Sequence, residues 1–112
     1  MIKLINILNE AKETFEDFAT TRGKGAEKIA TTAKEKGGLA MLTYNHFIVK
    51  LPYYQKAAEG KLKIEKAKEE YNKLLEKLYK ATKEGKMDIG QTEFQKIVGK
   101  IEVLGELLIE NK

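Results

Sequence analysis

Seven cations, Arg22, Lys24, Lys28, Lys34, Lys36, Lys50 and Lys56, fall within about a third of the chain and meet only two carboxylates there, Glu27 and Glu35. That window is more basic than the whole protein, whose formal net charge is +4. It also holds the single histidine, His46, the single proline, Pro52, and the tyrosines Tyr44, Tyr53 and Tyr54. Lysine and arginine attract phosphates, glycine lets a ligand approach the backbone, and aromatic rings stack on bases. A window that combines them is where a polyanion is expected to bind.

Three local patterns in the window could carry chemistry. Arg22-Gly23-Lys24-Gly25 precedes a helix expected to start at Ala26. Free backbone N–H groups and the helix dipole favour a phosphate at such a place, and Lys24 and Lys28 would add charge. No Gly-Lys-Ser/Thr follows at Walker spacing and no strand precedes, so neither nucleotide fingerprint is present. A plain interhelical turn is the simpler alternative. His46 shares a helical face with Thr43 and Lys50. It could contact phosphate or a base edge, or move a proton, since imidazole titrates near neutrality. A general base needs an orienting partner, and none is legible nearby, so a hydrogen-bonded structural histidine is the competing reading. Leu51-Pro52-Tyr53-Tyr54 sets a kink beside two rings about 100° apart on a helix. One ring can pack inward while the other faces solvent between Lys50 and Lys56, as a platform for unpaired bases. Both rings capping the core is the alternative.

Composition narrows the rest. With no cysteine and one histidine, disulfides, thiolate metal sites and multi-histidine sites within one chain are excluded, and no cofactor is expected. No apolar run approaches the roughly 18–20 residues that span a bilayer. Met1 to Leu8 is amphipathic and runs into Glu10, Lys12 and Glu13, unlike a signal peptide, so the cytoplasm is the expected location.

The elements that must position these groups read as helices. Leu4, Ile7, Leu8, Ala11, Phe15, Phe18 and Ala19 form one stripe from about Ile2 to Thr21. Gly23 and Gly25 are expected to end that helix, and a shorter one covers Ala26 to Lys36 until Gly37-Gly38. A third runs from Leu39 to Glu59, with a kink or restart at Pro52. Lys61 to Glu84 is long and regular, with Glu69–Lys73 and Glu76–Lys80 as i,i+4 pairs. After a turn where Asp88 and Gln91 resemble a capping box and Thr92 is an equal alternative as the cap, the last helix carries Phe94, Ile97, Val98, Ile101, Leu104, Leu107 and Leu108. Its Gly99 and Gly105 suggest close approach of another helix. The expectation is one all-α domain over residues 1–112, a small bundle of about five helices. Its second half, 61–112, forms an antiparallel hairpin that could also serve as a homodimer seam.

The run Arg22-Gly23-Lys24-Gly25-Ala26-Glu27-Lys28-Ile29-Ala30 is followed by Ala33-Lys34-Glu35-Lys36-Gly37-Gly38. Together with Leu42-Thr43-Tyr44-Asn45-His46-Phe47 and Lys50-Leu51-Pro52-Tyr53-Tyr54 it resembles the Cef-like small proteins of T4-like bacteriophages, described as modifiers of suppressor tRNAs. The resemblance covers about residues 1–56 and carries over no catalytic residue. It implies a phage factor acting on tRNA metabolism or host takeover in the infected cell.

The resulting expectation is a non-enzymatic accessory protein that binds structured RNA. Arg22, Lys24, Lys28, Lys34, Lys36, Lys50 and Lys56 would contact phosphates, and His46, Tyr53 and Tyr54 would contact bases or sugars. Two alternatives stand beside it. A helical module could dock a host protein through an exposed patch of Tyr44, Phe47, Tyr53 and Tyr54, or an RNA-processing enzyme could use His46.

Overall fold

The computed structural model describes residues 14–85 and 92–111, and among them the chain is all helix, with no strand. Five helices follow one another: α1 (Phe15–Lys36), α2 (Ala40–Ile48), α3 (Leu51–Ala58), α4 (Ile64–Lys83) and α5 (Thr92–Glu110). The stretch from Ile2 to Glu13 and the Asp88/Gln91 capping box lie outside the described residues.

The first helix differs from the sequence expectation. It starts at Thr14, whose hydroxyl accepts a hydrogen bond from the Asp17 backbone N–H at 3.0 Å, with Glu16 and Asp17 favourably placed in the first turn. It then runs without a break through Gly23 and Gly25 to Lys36. The reason is packing. Ala19, Ala26, Ala30 and Ala33 form the buried face of α1, and Gly23 continues that smooth face. A Cβ on Gly23 would stand 3.2 Å from Tyr54 Cβ. Gly23 is thus a contact residue that lets α3 come close, and the helix penalty of about 1 kcal/mol is offset by that contact. With no helix starting at Ala26, the expected phosphate cradle at Arg22–Gly25 does not exist.

The real stop is Gly37, where φ is +63° and the N–H donates to the Ala33 carbonyl at 3.1 Å. Pro52 acts as expected. It has no N–H for the Ile48 carbonyl, so α2 ends and α3 restarts at Lys50, although Val49 and Lys50 both keep near-helical backbone angles. Gly60, at φ +72°, closes α3 in a Schellman arrangement, in which the Lys61 N–H donates to the Lys56 carbonyl at 2.8 Å.

α1 packs across α2 and α3, and α5 packs on α2, touches α3 and pairs with α4. The last helix is therefore the shared spine, and it buries Ile97, Gly99, Val103, Leu104 and Leu107. Ala19, Ala26, Tyr54, Ala57, Val103 and Leu107 meet in the core, flanked by Phe15, Phe18, Phe47, Leu51 and Leu62. On α4 the Glu76–Lys80 pair closes at 3.1 Å. Leu39, counted among the apolar positions of the third helix, is 88% exposed ahead of α2.

The close approach expected at Gly99 and Gly105 occurs. A Cβ on Gly105 would lie 3.3 Å from the Tyr71 ring, and one on Gly99 would lie 2.1 Å from the His46 carbonyl oxygen. That oxygen belongs to backbone and cannot swing away. Gly99→Ala is expected to push α5 off α2 and destabilise the protein by about 1–3 kcal/mol. The measurement is a urea unfolding curve, read as a lower midpoint with little change in slope.

Candidate nucleic-acid interface

The approach of α5 to the α2–α3 junction builds a polar cluster between segments about fifty residues apart in sequence. His46 Nε2 lies 3.0 Å from Glu102 Oε1, and Nδ1 lies 3.3 Å from Gln95 Oε1. Lys50 Nζ donates to the same Glu102 oxygen at 3.0 Å and sits 4.5 Å above the Phe47 ring. Lys50 is only 7% exposed. Burial by itself would raise the Glu102 carboxyl, but the hydrogen bonds from Lys50 and His46 outweigh it and hold the group below its ordinary value. Two tyrosine–carboxylate bonds continue the pattern. Tyr53 donates to Glu70 on α4, and Tyr54 donates to Glu106 Oε1 on α5 at 2.6 Å. Desolvation, followed by the adjacent carboxylate, pushes both phenols well above their usual range, so both stay protonated donors.

These contacts assign much of the basic window to holding the fold. Lys50 and Tyr54 are buried. His46 has both ring nitrogens engaged, which leaves neither open to a substrate proton in this arrangement. Tyr53 is half-buried against Glu70, and Tyr44 and Phe47 are half-buried too. Among the described residues the large apolar side chains most open to solvent are instead Ile29, Leu39, Leu75, Tyr79 and Ile109.

The other cations divide by position. Arg22, Ile29 and Lys36 follow one another at seven-residue spacing along α1, one stripe of the helix. Two clefts open along it and share Ile29. One, of about 430 Å³, lies between α1, Phe47 of α2, Tyr54 of α3 and Glu106 of α5, with Arg22 and Gly25 on its wall. The next, of about 350 Å³, is bordered by Lys28 and Lys36. The Arg22 guanidinium lies 5.3 Å over the Phe18 ring and makes no ion pair among the described residues. Lys24 borders a different depression, beside Gly23 and Gln55, and Lys34 lies 5.8 Å from the Tyr44 ring centroid. Lys56 sits on the opposite face of α3 from Tyr54, in a cleft with Lys96 and Lys100.

So Lys28 and Lys36 border one cleft and Arg22 the cleft next to it, with Ile29 shared by both, while Lys24, Lys34 and Lys56 lie elsewhere. Sequence reasoning missed Lys96 and Lys100, which lie far outside the basic window. Their i,i+4 spacing places two like charges on one helical face, an arrangement that costs a helix a few tenths of a kcal/mol and could have been noticed. Among the described residues no helix is long and apolar enough to cross a membrane, and no group of His, Asp and Glu could hold a metal ion. No protein-family model matches this chain, and neither does any curated protein or solved structure.

The cluster makes a stability prediction with a definite sign. Glu102→Ala strands a buried ammonium and is expected to cost about 1–3 kcal/mol. Lys50→Met removes the charge together with its need for a partner and should cost clearly less. Because the folded-state value of Glu102 is lowered, its contribution is fully present above the ordinary carboxylate value of 4.5 and is lost as pH falls through the folded value. Thermal melts between pH 7 and pH 3 should therefore lose less Tm on acidification in Glu102→Gln than in the parent.

Proposed function

We propose that this chain is a non-enzymatic accessory protein that binds structured RNA carrying unpaired nucleotides, along the Arg22–Ile29–Lys36 stripe of α1. The observation that carries the reading is Gly25. A glycine inside a helix costs about 1 kcal/mol against alanine. Gly23, Gly99 and Gly105 each sit where a Cβ would meet a neighbour, whereas one on Gly25 would meet nothing within 4 Å among the described residues. The bare backbone at Gly25 forms a wall of the 430 Å³ cleft, beside Arg22, which makes no ion pair among the described residues, and the 43% exposed Ile29. That volume lies within the range of small-ligand sites. A flat base can slide against a wall without side chains, the guanidinium can stack on it or hold its phosphate, and Lys28 and Lys36 carry the backbone onward.

The likeness to Cef-like phage proteins supports tRNA as the RNA and the infected host cell as the setting. In this reading Arg22, Lys28 and Lys36 contact phosphate, while His46, Lys50, Tyr53 and Tyr54 hold the helices that shape the cleft. At the polar cluster both ring nitrogens of His46 are engaged, by Gln95 and by Glu102, and Lys50 is bonded to the same Glu102, an arrangement that favours binding over catalysis.

Fluorescence anisotropy with labelled tRNA at about 50 and 200 mM salt tests this. Three phosphate contacts should cost ~20- to 40-fold in affinity over that range, as counterion release requires. Gly25→Leu should fill the cleft and weaken binding about tenfold, the scale of one lost base contact, without lowering Tm. Joint replacement of Arg22, Lys28 and Lys36 by Gln should flatten the salt dependence. Absence of binding at the lower salt would refute the RNA reading and leave the alternative of a helical module that docks a host protein.

A further inference from the structure

The described structure contains a second concentration of positive charge, separate from the α1 stripe. Lys56 on α3 and Lys96 and Lys100 on α5 converge on a cleft of about 580 Å³, whose wall includes Pro52 and Tyr53. Glu70 is the carboxylate on this cleft, and it is engaged by the Tyr53 hydroxyl. None of the three lysines forms an ion pair among the described residues, although most of the carboxylates on α5 are already committed. Glu93 pairs with Lys77, Glu102 with Lys50 and His46, and Glu106 with Tyr54. Three ammonium groups against one carboxylate leave a net charge of +2 in a concavity, where low-dielectric walls concentrate the field.

We infer that the Lys56–Lys96–Lys100 cleft is an anion site for a compact group of adjacent phosphates, a triphosphate in chemical class. The shape separates this ligand from an extended nucleic-acid backbone. The charges approach from two helices, α3 and α5, onto one recess, which suits several negative charges packed close together. A strand of nucleic acid, with phosphates spaced along its length, would engage cations spread along a helix, as Arg22 and Lys36 are on the α1 stripe. Lysine is suited to this role because its ammonium is a mobile point charge with three donors, able to follow a flexible phosphate chain. The wall formed by Pro52 and the Tyr53 ring offers an apolar surface to whatever the triphosphate carries. That carrier can be the 5′ end of an RNA or a free nucleotide, since both present the same group.

Titration calorimetry with inorganic tripolyphosphate at about 50 mM salt tests the site, with a thermal melt of the same samples. One anion is expected to bind per chain and to raise Tm, as any ligand specific to the folded state must. Lys96→Gln with Lys100→Gln should weaken it at least tenfold. The same double variant should melt no lower than the parent without ligand, because a like-charge i,i+4 pair is relieved. Lys56→Gln alone should give an intermediate loss. Replacing Arg22, Lys28 and Lys36 should leave tripolyphosphate binding unchanged, so the failure of one site does not imply failure of the other. Comparing ATP with a short RNA carrying either a 5′-triphosphate or a 5′-hydroxyl identifies the carrier. Preference for the triphosphate end points to RNA, and equal affinity for ATP and tripolyphosphate points to the phosphate group alone. No heat and no Tm shift with tripolyphosphate, or binding indifferent to the lysine variants, would overturn the proposal.

Discussion

The backbone of α5 lies so close to the end of α2 that a methyl group on Gly99 would stand 2.1 Å from the His46 carbonyl oxygen, and the polar interior follows from that approach. Three residues further along the same face, Glu102 reaches both His46 and Lys50. Four residues beyond that, Glu106 reaches Tyr54. These positions are stacked by helical geometry, so fixing the first in depth fixes the others in register. A larger residue at position 99 would lift the whole row and leave an ammonium, an imidazole and a phenol competing for water inside the bundle. Lys96 and Lys100, on another flank of the same helix, would lose their alignment with Lys56 as well.

Specificity of packing is the better account of this row than raw stability. From Ala19 onward the buried face of α1 is made of alanines and one glycine, with Phe15 and Phe18 only at its start, so along most of its length few large side chains interlock and sliding is tolerated. A buried lysine bonded to one carboxylate has far fewer acceptable positions. The desolvation cost of the buried ammonium offsets much of its attraction to the half-exposed Glu102, so its clearest contribution is to disfavour other registers. Tyr53 and Tyr54 extend the same logic. Adjacent on α3 and pointing in different directions, they tie that short helix to α4 through Glu70 and to α5 through Glu106. Helix α3 has eight residues, too few to be stable alone, and these two bonds with the buried Ala57 hold it in place.

The helical class, the restart at Pro52, the stop at Gly37 and the close approaches of Gly99 and Gly105 were legible because each follows from local chemistry or from a repeat along one segment. The continuity of α1 through Gly23 and Gly25 was not. A glycine that ends a helix and a glycine that admits a neighbour look alike until the neighbour is known, and here the neighbour, Tyr54, lies about thirty residues away. The partners of His46 were hidden for the same reason, because Gln95 and Glu102 belong to a segment that reads alone as an ordinary amphipathic helix. The basic window was real as composition but not as a surface. Lys50 went inside, Lys56 joined cations from α5, and Arg22 was left on one cleft of α1 with Lys28 and Lys36 on the next.

That redistribution bears on how charge should be read in a small helical protein. A lysine beside aromatic residues in sequence has two possible fates, and the difference lies in whether a carboxylate reaches it from another element. Lys50 has Glu102, so its charge is spent on the fold. Lys56, Lys96 and Lys100 share a recess with a carboxylate already bonded to tyrosine, and their charges stay available to a ligand. Gly25 makes the same point for shape. Gly23, Gly99 and Gly105 make room for a neighbour within the fold, so the room at Gly25, where no described residue is a neighbour, is the place a molecule from outside can fill.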